Sequence, residues 1–445
     1  MDNRAICAIA TPVGVSALGI IRVSGPQLHQ KIDSLFDKKL RDREATYVNF
    51  IHQEKTIDQC VAIFYEAPRS YTGEDMLEII SHGNSIIMNS IMRALQDFGV
   101  KQAEPGEFTK RAFMNNKIDL TQAEAVADLI SASSMQSVKA ANNSLSGQFA
   151  RDIETIQDSI LGLRSLIESV INFPEEDDVS SESLKDAKND LQKIILSIQN
   201  LQKHSINGLM LNFRPTYAVI GKPNSGKSSL INALLREDAS IVTEVEGTTR
   251  DSIKYSLCLN NQIINLVDTA GLRETNDLAE EAGIARTFTT ASKSEKIIYM
   301  IDDQKGMSQE DEIFLNDYSS KNCYLIFNKI DMTGKQAKII KNNFTEIHMS
   351  VKTNLGLDLF KNVILDDLSN IDYSENTHLA RERHLELLSN ASNHLEQCRA
   401  SMLNSSLEIC AEELRLAHLA LSSILGQNSS EELLNRIFTT FCIGK

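Results

Sequence analysis

Five short runs of this sequence hold residue types that can grip a phosphorylated purine. The first is Gly221-Lys-Pro-Asn-Ser-Gly-Lys-Ser228, set between the apolar Tyr217-Ala-Val-Ile220 and the helix-like Ser229-Leu-Ile-Asn-Ala-Leu-Leu235. Glycines let a backbone curl until its N–H groups and a helix N-terminus point at phosphate oxygens. The run predicts a P-loop. Lys227 would reach the β- and γ-phosphates and Ser228 would ligate Mg²⁺, with Asn224, Ser225, Gly226 and Ser229 completing the cradle. The second run, Thr243-Glu-Val-Glu-Gly-Thr-Thr-Arg-Asp251, reads as a switch loop that passes a threonine to Mg²⁺. Its nucleotide-facing candidates are Thr243, Glu244, Val245, Glu246, Gly247, Thr248 and Thr249.

The third run ends the apolar stretch Ile263-Ile-Asn-Leu-Val267. It places Asp268 near the Mg²⁺ shell and Gly271 beside the γ-phosphate, with Thr269 and Ala270 between them. The fourth, Asn328-Lys-Ile-Asp331, ends Cys323-Tyr-Leu-Ile-Phe327. A carboxylate at Asp331 accepts from both N1–H and the 2-amino group of guanine, and adenine has no matching donors, so GTP is expected over ATP. Asn328 and Lys329 belong to the same base-side loop. The fifth, Ser350, Val351 and Lys352, stands where a G-protein places its last guanine-contacting loop. Valine replaces the usual alanine there, which matters little to a position that acts through its backbone N–H.

Two departures bear on hydrolysis. Leu272 follows Gly271, where Ras-like proteins carry the glutamine that orients the attacking water, and leucine has no polar atom for that work. Arg273, Glu274, Glu280 and Glu281 are the nearby candidates, and their types alone do not choose among them. Asn224 sits where a glycine is common in P-loops. Its carboxamide oxygen is suited to hold a monovalent cation against the phosphates, replacing the charge an arginine finger delivers elsewhere.

Positioning these runs calls for strand ends, and the texture of the chain supplies them. Residues 1–117 alternate β-branched or aromatic runs, such as Gly19–Ser24, Cys60–Tyr65 and Met76–Ile80, with Gly and Pro punctuation. Residues 118–213 turn to long helices, with Ala123, Val126, Ala127 and Ile130 at helical spacing. Strand–helix alternation occupies 214–370, and the helical texture returns over 371–445. A helical pattern that stops, yields to an α/β unit and restarts predicts one domain inserted into another. The expected fold is therefore multidomain α/β plus all-α. It comprises an N-terminal α/β domain, a discontinuous helical domain, and an inserted P-loop G domain with a mainly parallel sheet. The acidic Pro174-Glu-Glu-Asp-Asp178 reads as a solvated loop between helices.

Composition sets the outer bounds. A chain of 445 residues exceeds one hydrophobic core, and 42% hydrophobic with 24% charged residues is ordinary for a globular protein. A formal charge of −15 argues against coating nucleic acid by charge alone. The seven cysteines are scattered and form no C-x-x-C pair, which fits a reducing cytosol and offers no zinc framework. Thr11-Pro12 and Gly14 break the apolar N-terminus, so neither a signal peptide nor a membrane span is expected.

Beyond the G-domain runs, Pro105-Gly-Glu-Phe-Thr109, Asp119-Leu-Thr-Gln-Ala-Glu-Ala125, Phe173-Pro-Glu-Glu176, Gly247-Thr-Thr-Arg-Asp251 and the terminal Phe441-Cys-Ile-Gly-Lys445 span the whole length. On these the chain resembles the MnmE/TrmE family of tRNA-modification GTPases. The resemblance implies a cytoplasmic homodimer, without membrane attachment, that hydrolyses GTP when its G domains meet with potassium bound. It implies K⁺ at Asn224, Thr243, Val245 and Thr248, Mg²⁺ at Ser228 and Thr249, and the catalytic, water-orienting role at Glu280. It further implies that domain 1–117 mediates dimerisation and binds a tetrahydrofolate derivative, 5-formyl- or methylene-tetrahydrofolate, through Arg22, Glu78, Lys117 and Lys445. Glu74 and Asp75 lie close enough to compete with Glu78 for that role. Cys442 is a possible nucleophile or redox group. The implied reaction adds a carboxymethylaminomethyl or aminomethyl group to carbon 5 of the wobble uridine of certain tRNAs. It runs with an FAD- and NADH-using partner of the MnmG type, in a heterotetramer or larger complex.

Two other readings compete. A ribosome-assembly GTPase would share the G motifs but usually carries a basic RNA-binding domain, whereas 371–445 holds six basic against ten acidic residues. A generic P-loop ATPase is disfavoured by Asn328-Lys-Ile-Asp331.

Overall fold

A computed structural model describes residues 4–12, 14–28, 32–132, 135–172, 181–212, 215–237, 253–259, 262–268, 294–316, 323–368, 379–404, 406–427 and 429–444. They fall into two compact units. One comprises Met1–Ser131, Ala141–Ser205 and His378–Lys445, and the other Ala132–Ala140 and Ile206–Thr377.

The first unit opens with a six-stranded sheet in the order β3-β4-β5-β2-β1-β6. The strands are β1 (Ile6–Ile9), β2 (Ser16–Gly25), β3 (Thr46–His52), β4 (Lys55–Tyr65), β5 (Asp75–Gly83) and β6 (Lys101–Gln102). Side chains alternate between sheet faces, so Ile21 and Val23 of β2 and Leu77 and Ile79 of β5 enter one core. Helix α1 (Ser85–Asp97) closes that core with Met88, Ile91, Met92, Ala94 and Leu95. It begins where the Asn84 side chain caps the Ile86 N–H at 2.8 Å. Arg22 and Glu78, directly opposed in the antiparallel β2–β5 ladder, therefore share the other face.

Helices α2 (Glu107–Met114) and α3 (Leu120–Ser131) follow, then α4 (Met135–Leu145). Long helices α5 (Gln148–Asn172) and α6 (Ser181–Asn212) come before the α/β unit, which contributes helices α7 to α10 described below. Beyond it lie α11 (Glu382–Leu403), α12 (Leu407–Ile424) and α13 (Glu431–Phe438). Phe149 to Leu201 on one side of the insertion and Leu388 to Leu425 on the other supply one shared core. Leu388, Ala391, Leu395, Cys398 and Met402 show the three-and-four spacing of a buried helix face. Cys398 and Cys410 are joined as a disulfide between α11 and α12. Their spacing gives no hint of that pairing; helix packing, not sequence distance, brings them together.

Phe438, the last residue of α13, and Phe441 beyond it pack on the loop before α2, where Gly106 adopts φ +68° and an added Cβ would lie 2.6 Å from the Phe438 carbonyl. This contact seats the C-terminal tail on the loop between β6 and α2. Gly444 follows with φ +90°, so close to Ile9 that a Cβ would lie 2.8 Å from its carbonyl oxygen.

The second unit is built on a seven-stranded sheet, β12-β13-β11-β10-β7-β9-β8. The strands are β7 (Thr216–Gly221), β8 (Ile253–Leu259), β9 (Gln262–Asp268), β10 (Lys296–Asp302), β11 (Cys323–Asn328), β12 (Lys338–Lys341) and β13 (Thr345–His348). Pairing is parallel from β13 to β9 and antiparallel at both edges. Tyr217 and Val219 face the core formed with α7 (Lys227–Glu237) and α10 (Leu357–Leu368). Ala218 and Ile220 face the core that includes Leu315 of α8 (Gln309–Asn316). Burial on both faces explains the unbroken apolar runs of these strands. Strands β7, β9 and β11 run parallel and end on one side of the sheet, where open α/β folds place their ligands.

Candidate active site

The P-loop joins β7 to α7. Gly221 and Gly226 adopt φ +150° and +105°, and Asn224 is left-handed at +63°. A Cβ on Gly221 would lie 2.3 Å from the Met300 carbonyl, and one on Gly226 2.2 Å from Asn328 Nδ2. Only glycine fits at either place. The Lys227 ammonium folds back to donate to the Gly221 and Lys222 carbonyls at 2.6 and 3.0 Å. Burial pushes its pKa down, and the Asp268 carboxylate opposes that shift. Ser228 Oγ lies 3.4 Å from Asp268 Oδ2, so a hydroxyl and a carboxylate meet beside the loop. That is a hard oxygen donor set of the kind Mg²⁺ prefers. Asn224 is exposed at the loop's tip and Ser225 is buried. Ser225 Oγ has no hydrogen-bond partner. Ser229 begins the exposed side of α7.

On the base side, Asn328 donates from Nδ2 to the Ser225 carbonyl at 2.8 Å and accepts the Val351 N–H at 3.0 Å. Asn328 thus holds protein loops together, and the Val351 N–H that the sequence assigns to guanine is taken by Asn328 here. Lys329 is left-handed at φ +71° and pairs with Asp302 at 2.7 Å. Asp331 sits in the short helix α9 (Ile330–Thr333) and accepts from the Ser350 hydroxyl at 2.6 Å. Lys352, next to Val351, is exposed. Nothing in the sequence singled out Asp302; its position one strand away from Lys329 makes the contact.

A second site lies on the open face of the N-terminal sheet. Arg22, Tyr65, Tyr71, Met76, Glu78 and Val126 line a cavity of about 320 Å³. Arg22 Nε donates to Glu78 Oε1 at 2.8 Å, Tyr65 OH donates to Glu78 Oε2 at 3.3 Å, and Arg22 Nη1 reaches the Gly444 carbonyl at 3.5 Å. Burial, then the Glu78 charge, pushes the Tyr65 phenol up. The competing acids are occupied elsewhere. Glu74 is held by Arg111 at 3.0 Å and Ser24 at 2.9 Å, while Asp75 accepts the Leu28 and Ala67 N–H groups at 3.0 Å each. Lys117 stands outside the lining, donating to the Pro68 carbonyl at 3.0 Å. Cys442 is an exposed free thiol. Sequence reasoning passed over Tyr65, Tyr71 and Val126, although Tyr65 ends a strand run in register with Met76.

Thr243, Glu244, Val245, Glu246, Gly247, Thr248, Thr249, Thr269, Ala270, Gly271, Glu280, Lys445 and the acidic 174–178 run lie outside the described residues.

Comparison with known proteins covers both sites. Residues 120–442 match the family model described as the MnmE helical domain, and 5–117 match that of the GTP-binding protein TrmE N-terminus. The chain is 38% identical over 450 residues to the "tRNA modification GTPase MnmE" of Francisella tularensis subsp. novicida, covering 99% of each. It is 38% identical over 448 residues to the protein of that name from Francisella philomiragia, again over 99% of each. Among solved structures, the G domain of the T. maritima FeoB iron transporter matches 35% of this chain and 98% of its own length. The identity is 23% and the TM-score 0.26.

Proposed function

The chain belongs to the MnmE family of tRNA modification GTPases, and from that premise we propose that it hydrolyses GTP by a potassium-assisted route. The observation that carries this reading is the meeting of Lys227, Ser228 and Asp268 at one sheet edge, with Leu272 following Gly271. Lys227 exchanges its two carbonyl partners for β- and γ-phosphate oxygens. Ser228 and Thr249 hold Mg²⁺, and Asn224, Thr243, Val245 and Thr248 hold K⁺. Once bound, the two cations supply the positive charge that offsets charge building on the transferred phosphoryl group. Glu280 orients the attacking water, a task Leu272 cannot perform. Asp331, fixed by Ser350, selects guanine.

The cavity of about 320 Å³ lined by Arg22 and Glu78 stands within the size range of ligand pockets, which run from about 300 Å³ upward, and its guanidinium and carboxylate support a tetrahydrofolate derivative as the occupant. Glu78 accepts from the pterin edge, while Arg22, Lys117 and Lys445 pair with carboxylates. When bound, the folate supplies a one-carbon unit. Cys442 lies two residues before Gly444, whose carbonyl meets Arg22, and this closeness in sequence supports a part for its thiol in the one-carbon chemistry. The product is a carboxymethylaminomethyl or aminomethyl group on C5 of the wobble uridine. The protein works as a cytoplasmic homodimer with an FAD-dependent MnmG-type partner in a heterotetramer or larger assembly. With a charge of −15, much of the tRNA-binding surface belongs to that partner.

Nucleoside mass spectrometry of tRNA from cells lacking this protein tests the reading. The C5-modified wobble uridine should disappear and return with the wild-type gene. An unchanged nucleoside profile overturns the assignment.

A further inference from the structure

Asp303 follows the last residue of β10, and its side chain is 1% exposed. A carboxylate this deep needs partners. Thr333 Oγ1 donates to Oδ2 at 2.5 Å and Lys335 Nζ to Oδ1 at 2.9 Å, with His348 Nδ1 3.7 Å from Oδ1. The Asp303 N–H also donates to the Asn328 carbonyl at 2.8 Å.

These contacts fall on both base-side loops. Thr333 ends α9, the helix that carries Asp331. His348 ends β13 two residues before Ser350, the residue that hydrogen-bonds Asp331, and its ring stacks on Phe327 with centroids 4.7 Å apart. Asp302 next door pairs with Lys329 at 2.7 Å. Two adjacent aspartates thus grip the loop two residues before and two residues after Asp331. Asp302 is half of a partly exposed ion pair. Asp303 is buried; it donates its N–H to the Asn328 carbonyl, accepts from Thr333 and Lys335, and lies against His348 of the strand leading to Ser350.

From this geometry we infer that Asp303 is a positioning residue for guanine recognition, holding both base-side loops at the spacing Asp331 requires without touching the nucleotide. The inference rests on the proposed role of Asp331. A loop set that is not held in advance must be ordered by the nucleotide, and that ordering is charged against affinity. Saturated hydrolysis, governed by the phosphate side, is untouched.

The test uses the full-length protein and steady-state hydrolysis, where KM follows affinity if chemistry is slow relative to dissociation. Asp303→Asn keeps the side-chain shape and removes the charge. It should raise the KM for GTP about tenfold and leave kcat within about twofold. KM unchanged, or kcat falling in step with a loss of folded protein, overturns the inference. Should Asp303→Asn fail to fold, Thr333→Val combined with Lys335→Met removes the same two donors. That pair should raise KM about threefold at constant kcat, and no change in KM overturns the inference. Asp331→Asn is run in parallel against XTP, whose 2-carbonyl suits an amide donor. Failure of that variant to move preference from GTP toward XTP sinks the underlying base assignment, whatever Asp303 does.

Discussion

The side-chain amide of Asn328 is hydrogen-bonded to the backbone carbonyl of Ser225 at 2.8 Å, across 103 residues of chain. Its oxygen meanwhile takes the Val351 N–H, so one buried amide ties the phosphate loop to the last base-side loop. Asn328→Ala would leave two buried backbone groups unsatisfied, each costing about 1–3 kcal/mol. GDP affinity measured by calorimetry should fall by at least one order of magnitude, since about 1.4 kcal/mol is tenfold. Gly226→Ala attacks the same contact from the other side, because its Cβ would lie 2.2 Å from the Asn328 nitrogen. The two losses should not add. Full additivity would show that the contact carries no coupling.

These contacts mark the limit of what the sequence discloses. Strand-ending motifs predict that Lys227, Ser228, Asp268 and Asp331 gather at one site, because parallel strands deliver their ends to one side of the sheet. They do not reveal that the Asn328 amide bridges the Ser225 carbonyl and the Val351 N–H, since these partners are backbone atoms without sequence identity. The N-terminal site is legible only through the whole-chain resemblance. Period-two alternation puts Arg22 and Glu78 on one face once their strands are paired, but pairing between residues 56 apart is a tertiary fact. Tertiary contacts likewise tie Glu74 to Arg111 and Asp75 to backbone N–H groups, pairings that no local pattern announces.

Arg22→Met tests that pocket. The side chains of Arg22 and Glu78 are 26% and 19% exposed, so their ion pair adds about 1 kcal/mol or less to stability. Losing the guanidinium should barely move the thermal midpoint. Binding of 5-formyl-tetrahydrofolate, followed by calorimetry, should weaken at least tenfold, as expected when one partner of a charge-assisted contact is lost. A large drop in midpoint with binding intact would make Arg22 a structural residue.

The helical core should respond to acid in two stages. Glu124 of α3 meets His384 Nε2 at 2.9 Å and Arg383 at 3.1 Å, all largely buried. Burial opposes its charge, but the His384 hydrogen bond and the Arg383 and Arg381 guanidiniums outweigh it and hold the carboxyl at about 2. An unfolded glutamate titrates near 4.3, so this contribution is whole above about pH 4.3 and is lost as pH falls toward 2. Burial pushes His384 below the usual imidazole range despite Glu124. Below about pH 6.5 the unfolded chain therefore takes a proton that the folded imidazole refuses, and stability drops there as well. Calorimetric midpoints should decline first from about pH 6.5 and again below about pH 4.3. Glu124→Gln should lower the midpoint at pH 7 and flatten the second decline. A variant that still loses stability as steeply as wild type below pH 4.3 would relieve Glu124 of that role.

Hydrolysis itself turns on two groups acting in different ways. If an ion beside Asn224 neutralises charge on the leaving phosphoryl, GTP turnover should be faster in K⁺ than in Na⁺ at equal ionic strength. Asn224→Ala should abolish that difference while leaving GDP affinity near wild type. Glu280 acts on the water and not on the nucleotide, so Glu280→Ala should bind GTP normally and lose about two to four orders of magnitude in kcat, the usual range for a positioned acid–base group. The pairing of outcomes is decisive, because an arginine-finger mechanism would be indifferent to the cation, and a structural glutamate would take nucleotide binding down with turnover. Equal rates in both salts would remove potassium from the mechanism, and a collapse of GTP binding in Glu280→Ala would remove Glu280.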